Sequence, residues 1–421
     1  MNIWLVHVGE LLPIDGDVRL FRYGILANML VERGHRVTRW APTFIHAYKR
    51  QRSERDASIW VNPNYRIELI YAKGYDRNVS LQRVRFHRQL ERGLRRRMFQ
   101  EPPPDIILAG IPTPGMCFIA LQYAQHYDVP FVIDVRDLWP DIYLTLLPKH
   151  LRPIARPALF FAERTNRKLF RGASSIIAVS ESYLKWGLRY AGRQRQSTDV
   201  VFPLGYPKPS FPKRVIEQEK RQLIGAGVDP EKTIICFFGQ FETSYDLETI
   251  IDGARLLQER GVNDVQFVFC GSGSKFKLLR KRAEGLQNVV FPGWISAQAI
   301  SALLQLSKIG LAPYAAGALQ SLPNKPLEYL SGGLPVLSSL TGELQEILEQ
   351  YRAGLTYRAG DVTDFLVVLE QLVGNPNLRS QMEENARRLF VEQFSVEKIY
   401  PAMVDYLEQI ATSTFKSRSL A

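Results

Sequence analysis
Short runs of consecutive apolar residues recur along the chain, and the stretches between them return apolar positions at helical spacing. Residues 3–8, 35–41, 105–108, 131–135 and 175–179 are such runs in the first half. Apolar runs of this length, rich in β-branched residues and bounded by turn formers, predict buried strands. Residues 18–33 carry an amphipathic helical pattern closed by Gly34, and helical patterns are expected between the other runs. Alternation of this kind implies a parallel sheet covered on both faces. Residues 202–213 contain four prolines. The spacing predicts a first domain over 1–205, a linker over 206–213 and a second domain over 214–395. The alternation restarts at 233–238, 265–270, 289–291, 309–313 and 336–338, and residues 396–410 form a last amphipathic helix. The fold class is α/β, with two Rossmann-like doubly wound domains facing a central cleft. Ligands are expected at strand C-terminal ends.

Composition narrows this picture. The 421 residues exceed one ordinary core, and 46% apolar with 23% charged content is that of a soluble globular protein. No apolar run approaches the ~18 residues of a membrane span. The start, Met1-Asn2-Ile3-Trp4-Leu5, has no basic region and reads as a strand, so a cytoplasmic location is expected. Cys117, Cys236 and Cys270 sit among apolar residues without metal or pairing spacing, and the six histidines are scattered. Buried structural thiols and no metal site are expected.

The net charge of +12 is concentrated in residues 83–97, with seven arginines and one glutamate. Phe86, Leu90 and Leu94 recur there at helical spacing and read as core contacts. Two readings stand: a solvated surface helix, or a basic helix attaching the protein ionically to an anionic membrane surface. No nucleic-acid motif accompanies the charge, so nucleic acid is not an expected partner.

The chemistry concentrates in residues 321–337. Pro323 and Pro326 suit a helix start, and Gly332-Gly333 suit its end. A helix start offers unpaired N–H groups to an anion, and Lys325 adds a charge. Glu328, one turn in, can accept hydrogen bonds from a ribose diol. Phosphate donors beside a diol acceptor describe a nucleotide site.

Leu322-Pro323-Asn324-Lys325-Pro326-Leu327-Glu328-Tyr329 closely resembles the end of the Glu-x7-Glu signature of family-4 retaining glycosyltransferases of the GT-B fold. In that family the second Glu holds the donor ribose, which maps to Glu328. The backbone ahead of it holds diphosphate and sugar, which maps to Ser321, Leu322, Pro323, Asn324, Lys325 and Leu327. Where the family carries its first Glu, this chain has Gln320. The family's last helix crosses back to the first domain, which maps to about 396–412.

Further motifs follow the same order. Cys270-Gly271-Ser272-Gly273 follows a strand, but Phe276 stands where a dinucleotide fingerprint needs Gly. Glycines there let a ligand approach. The family's similar Gly-x-Gly, at Gly271 and Gly273, flanks the nucleobase pocket, and its next loop maps to Trp294 and Ile295. Gly239-Gln240 stands where the family grips diphosphate with Gly-Arg, so the cation is replaced. Asp134-Val135-Arg136-Asp137-Leu138-Trp139-Pro140-Asp141 spends three carboxylates at a strand end, either on function or on a self-paired Arg136–Asp137 turn. Some bacterial family-4 members carry a near-identical Asp-x-Arg-Asp-Leu-Trp-Pro-Glu. Asp15-Gly16-Asp17 reads as a turn rather than a metal motif. The family places a glycine-rich loop there beside the sugar, which maps to Gly16. Arg19 and Arg22, just downstream, could reach an anionic acceptor.

The resemblance implies a hexosyl or N-acetylhexosaminyl transferase acting with retention. Its donor would be a nucleotide-diphosphate sugar, expected to be a UDP-sugar, and its acceptor a lipid-linked or polysaccharide intermediate at the inner face of the membrane. Arg136, Asp137 and Gln320 are the candidate catalytic residues, and no cofactor or metal is expected. Two alternatives share the fold: a sugar-nucleotide epimerase and a catalytically silent sugar-nucleotide-binding subunit.

Overall fold
The structure, a computed structural model, describes residues 1–16, 18–77, 80–145, 147–318 and 320–419. The chain divides into two compact units, Met1–Pro203 with Ile399–Ala421, and Leu204–Lys398.

The first unit is built on an eight-stranded sheet. Its strands are β1 (Asn2–Val6), β2 (Arg36–Pro42), β3 (Ala57–Asn62), β4 (Tyr65–Ile70), β5 (Ile106–Ile111), β6 (Phe131–Val135), β7 (Ser175–Ala178) and β8 (Val200–Val201). Their order is β8-β7-β6-β5-β1-β2-β4-β3, parallel except for the β3–β4 pair. The order reverses on either side of β1, which places a topological switch point between β1 and β5. Burial of β1, β5 and β6 on both faces explains their apolar runs, broken in β6 by Asp134.

Two sequence expectations change here. Helix α1 (Arg22–Glu32) begins four residues later than the apolar pattern, because Phe21 is extended at φ −110° and ψ −166°. Residues 57–70 form an antiparallel hairpin where helix was expected. Ile59, Trp60, Tyr65, Ile67 and Ile70 are β-formers, and Pro63-Asn64 supply the turn. Helix α2 (Leu81–Met98) buries Phe86, Leu90 and Leu94 against the sheet.

The second unit has a six-stranded parallel sheet. Its strands are β9 (Thr233–Gln240), β10 (Val265–Ser272), β11 (Val289–Gly293), β12 (Ile309–Ala312), β13 (Val336–Ser338) and β14 (Gly354–Thr356), in the order β11-β10-β9-β12-β13-β14. Here the switch point lies between β9 and β12. The proline-rich residues 206–213 lie in this unit. Tyr206 is buried, and its N–H donates to the Phe394 carbonyl at 2.8 Å. The last helix runs from Val396 to Ser419, and from Ile399 onward it belongs to the first unit. All three cysteines are free and buried. Among the described residues no helix is long and apolar enough to cross a membrane, and no group of three or more His, Cys, Asp or Glu could hold a metal ion.

Candidate functional site
In the first unit, polar side chains converge on the switch point. His7 follows β1 and is 4% exposed. Its Nδ1 lies 3.3 Å from the Gly110 carbonyl, and its Nε2 lies 2.9 Å from Arg136 Nη1. A carbonyl only accepts and a guanidinium only donates, so the proton belongs on Nδ1. Burial, then the Arg136 charge, pushes His7 down to about 3, so the ring is neutral. It stacks on Tyr23 at 4.7 Å. Gly110 is where the packing is closest, since a Cβ there would lie 2.6 Å from the Tyr23 hydroxyl and 2.9 Å from His7 Nδ1.

Glu10 joins the cluster. Its carboxylate accepts from Arg136, from the Tyr23 N–H at 3.0 Å and from Arg39 Nη2 at 3.2 Å. Burial would raise this carboxyl, but the charges of Arg136 and Arg39 hold it down at about 2. Arg136 is therefore tied to Glu10 and His7, and the Arg136–Asp137 turn is not self-paired. Asp137 accepts from its neighbour's Leu138 N–H at 2.8 Å, and burial raises its carboxyl above the usual range.

The other two acids of this strand end have structural partners. Asp134 receives Arg22 through two bonds, at 2.8 and 3.2 Å, with both side chains fully buried. Arg22 also donates to the carbonyls of Phe202 and Pro203 at 2.9 and 3.1 Å. This corrects the expectation that Arg22 reaches an acceptor, since its guanidinium is spent inside the unit. Asp141 accepts from Trp186 Nε1 at 2.7 Å and from the Tyr190 hydroxyl at 3.2 Å. The Trp139–Pro140 peptide is cis. Gly16 sits on an exposed turn at φ +100°, where Asp15 accepts two bonds of 2.6 Å from Arg52. Asp17 lies outside the described residues. His7, Glu10 and Arg39 were missed by sequence reasoning. The available signal was a histidine and a glutamate directly after the first apolar strand.

In the second unit the candidate residues gather at the C-terminal ends of β9, β10 and β12. Helix α3 (Asn324–Ser331) starts after Pro323, and no side chain caps it. Its first-turn N–H groups are thus open to a ligand, except at Pro326. Glu328 is half-buried one turn in. Its charge acts on the hydroxyls of Tyr245 and Tyr314. Ser321 donates to Glu343 at 2.6 Å, Leu322 and Leu327 are buried, and Gln320 is exposed.

Lys325 does not stand in an open anion site. It is 7% exposed, its ammonium donates to the Phe238 carbonyl, and it lies 4.4 Å from the Phe237 ring centroid. Burial lowers it to about 8, with the Glu328 charge opposing. The ammonium sits directly behind Gly239, where a Cβ would come within 2.6 Å of it. Gly271 and Gly273 also have a packing role that the sequence did not reveal. With φ of +147° and +154°, they bring β10 against the backbone of Gly239 and Phe241. Gln240 is exposed at the β9 end, Ile295 is half-buried, and Trp294 is 70% exposed after β11.

Comparison with known proteins agrees with this architecture. A family model described as Glycosyl transferase 4-like domain matches residues 24–203, and one described as Glycosyl transferases group 1 matches residues 219–389. Sulfoquinovosyl transferase of Arabidopsis thaliana is 25% identical over 288 residues, 68% of this chain and 52% of that protein. Alpha-D-kanosaminyltransferase of Streptomyces kanamyceticus is 25% identical over 173 residues, 40% of this chain and 44% of that one. The chain spans about half the length of the curated relatives it matches. Among solved structures, HepE of Anabaena in complex with UDP aligns with a TM-score of 0.63 at 15% identity, covering 97% of this chain and 99% of that one. Sucrose-phosphate synthase of Thermosynechococcus elongatus aligns with a TM-score of 0.70 at 15% identity, covering 98% and 99%. These structures share the two-domain fold. The two family models, in this order, each match one unit of the chain, and the chain as a whole has the GT-B glycosyltransferase fold.

Proposed function
We propose that the protein transfers a sugar from a nucleotide-diphosphate sugar, most simply a UDP-sugar, to a lipid-linked or polysaccharide acceptor with retention. The observation that carries this reading is the β9–β12 switch point, where an uncapped helix start, a carboxylate one turn in and a cation behind Gly239 converge. HepE, which shares the fold, is solved with UDP and with UDP-glucose, which supports a uridine donor.

The roles follow from charge. Departure of the donor leaves negative charge on the diphosphate, and preorganised donors stabilise it without reorganising. The N–H groups of α3 and the backbone of 321–324 supply direct contacts. Lys325 contributes its field from behind the Gly239 strand end. Glu328 accepts from the ribose hydroxyls. In the first unit, Arg136 and Asp137 orient the sugar or acceptor, and His7 and Glu10 position Arg136. Gln320, uncharged and exposed, is assigned to the transferred sugar.

Incubation with a panel of nucleotide sugars tests the reading. Nucleotide release that rises with acceptor supports transfer. A changed sugar with no release points to an epimerase. Binding with neither points to a silent sugar-nucleotide-binding subunit, which Gln240 and Gln320 in place of charged residues would explain. Glu328→Ala is expected to weaken UDP binding about tenfold or more in calorimetry, the scale of lost charge-assisted bonds. Unchanged affinity would remove Glu328 from the ribose. Gln320→Glu is expected to change donor selectivity or turnover.

A further inference from the structure
The run of short helical turns over residues 149–159 leads into helix α4, Phe160–Gly172. Large apolar side chains are exposed along this segment. On α4 the residues Glu163, Asn166, Leu169 and Phe170 face inward. Ahead of them, Leu151, Ile154, Phe160 and Phe161 are 39%, 76%, 51% and 80% exposed. Positions 151, 154, 158 and 161 fall at helical spacing, and Pro157 and Ala158 are exposed between them. Single exposed apolar residues are ordinary on a protein surface, but a contiguous stripe is not.

The charges around the stripe have one sign. Arg156, Arg164, Arg167 and Lys168 are exposed, and Arg152 is half-buried. The acid of this segment, Glu163, is buried and neutralised by Arg156 at 3.4 Å and Arg167 at 3.1 Å. An apolar stripe with a cationic rim matches the two layers of an anionic bilayer, with rings among acyl chains and guanidinium groups among headgroups. A second copy of the chain is a poor occupant, because a two-fold contact would set this basic rim against itself.

Helix α2 offers a narrower exposed apolar surface: Leu81 and Val84 are exposed in its first turn, but Phe86, Leu90 and Leu94 are buried, and all three of its last-turn arginines have partners. Arg95 donates to Gln122, Arg96 pairs with Asp56 at 2.7 Å, and Arg97 pairs with Glu68 at 3.0 Å. We infer that residues 151–168, rather than α2, form a docking surface for an anionic lipid bilayer, with Ile154, Phe160 and Phe161 inserted. The surface adjoins the candidate acceptor side, since Asn166 donates to the Trp139 carbonyl at 2.6 Å, three residues from Arg136.

Co-sedimentation of the full chain tests this, using vesicles of phosphatidylcholine alone and mixed with phosphatidylglycerol. No turnover is needed, so the result stands apart from the transferase reading. Binding to the mixed vesicles is expected, and I154S/F160S/F161S should weaken it about tenfold or more. R152Q/R156Q/R164Q should weaken it as well, whereas R95Q/R96Q/R97Q should leave it near wild type. Far-UV circular dichroism and a melt confirm folding of each variant, which is expected because the substituted side chains are mostly exposed. Three outcomes would overturn the proposal. They are absence of binding to the mixed vesicles, binding that survives the apolar triple, and a dimer in solution that the apolar triple abolishes.

Discussion

At the scale of single residues, the first unit keeps a neutral histidine beside a carboxylate and two guanidinium groups, with His7, Glu10 and Arg39 buried and Arg136 17% exposed. His7 stays unprotonated in the fold down to about pH 3, whereas an unfolded histidine titrates near 6.5. Between these values the unfolded chain binds the extra proton, so stability falls as pH drops below 6.5. Full differential protonation of one group is worth about 1.4 kcal/mol per pH unit. Glu10 adds to this at lower pH. Its folded pKa of about 2 lies below the ordinary 4.5, so its contribution is complete above 4.5 and is lost as pH falls towards 2. Urea melts of the wild type between pH 6.5 and 4.5 should show this decline, and His7→Asn should make it shallower, the remainder coming from His87, which burial lowers to about 4. A pH-independent wild type would mean that His7 is protonated in the fold. Gly110→Ala tests the same cluster sterically. The new methyl group would press on Tyr23 and His7, and a loss of about 1–3 kcal/mol is expected in the same melts.

At the scale of elements, much was open to reading because buried parallel strands announce themselves locally. β1, β5, β6, β9 and β10 each appear as an apolar run of their own. The helix start at Asn324 was also readable, from Pro323 and Pro326. What escaped was non-local. Arg22 and Asp134 lie 112 positions apart and meet only through the sheet order. Nothing in the local pattern of residues 18–33 shows that Arg22 is an interior residue. In the same way Gly271 and Gly273 resemble a ligand loop in sequence, but their positive φ serves the packing of β10 on β9. Lys325 reads as a solvent-facing cation, and only the fold turns it under Gly239. Its lowered pKa makes a specific prediction. A bound diphosphate favours the charged form, so binding takes up a proton around pH 8, and affinity should fall as pH rises beyond that. Calorimetry of UDP binding in two buffers of different ionisation enthalpy would show the uptake. Lys325→Met should bind UDP more weakly at pH 7 and show no uptake. Equal proton uptake by wild type and variant would assign the titration to another group.

At the scale of the whole molecule, the chain returns to its first unit after completing the second. Residues 399–411 place Tyr400, Met403, Val404, Tyr406, Leu407 and Ile410 in buried positions. The Tyr406 hydroxyl lies 2.5 Å from Ser175 Oγ and donates to the Thr198 carbonyl at 3.0 Å, so it ties the last helix to the start of β7 and the residues ahead of β8. Tyr400 lies near the polar cluster. Burial raises its hydroxyl to about 12, and the charges of Arg22 and Glu10 act on it. Arg33 and His35 bond Asp405 and Glu408 at 3.0 and 2.7 Å, which adds an ionic seam on the outer side. The last helix is thus part of the first unit's core, although more than 190 residues separate it from Pro203. Removing residues 399–421 would take six large buried side chains out of the first unit's core at once. Each such loss costs about 2–5 kcal/mol in a packed core. The melting of the first unit should therefore fall by on the order of 10 °C or more, while the second unit keeps its transition. Scanning calorimetry of the truncated chain reads both. A synthetic peptide of residues 399–419 added in excess should restore part of the lost transition, because binding to the folded form stabilises it by mass action. A truncated chain with an unaltered first transition would show that the buried face of this helix adds little to the unit it covers.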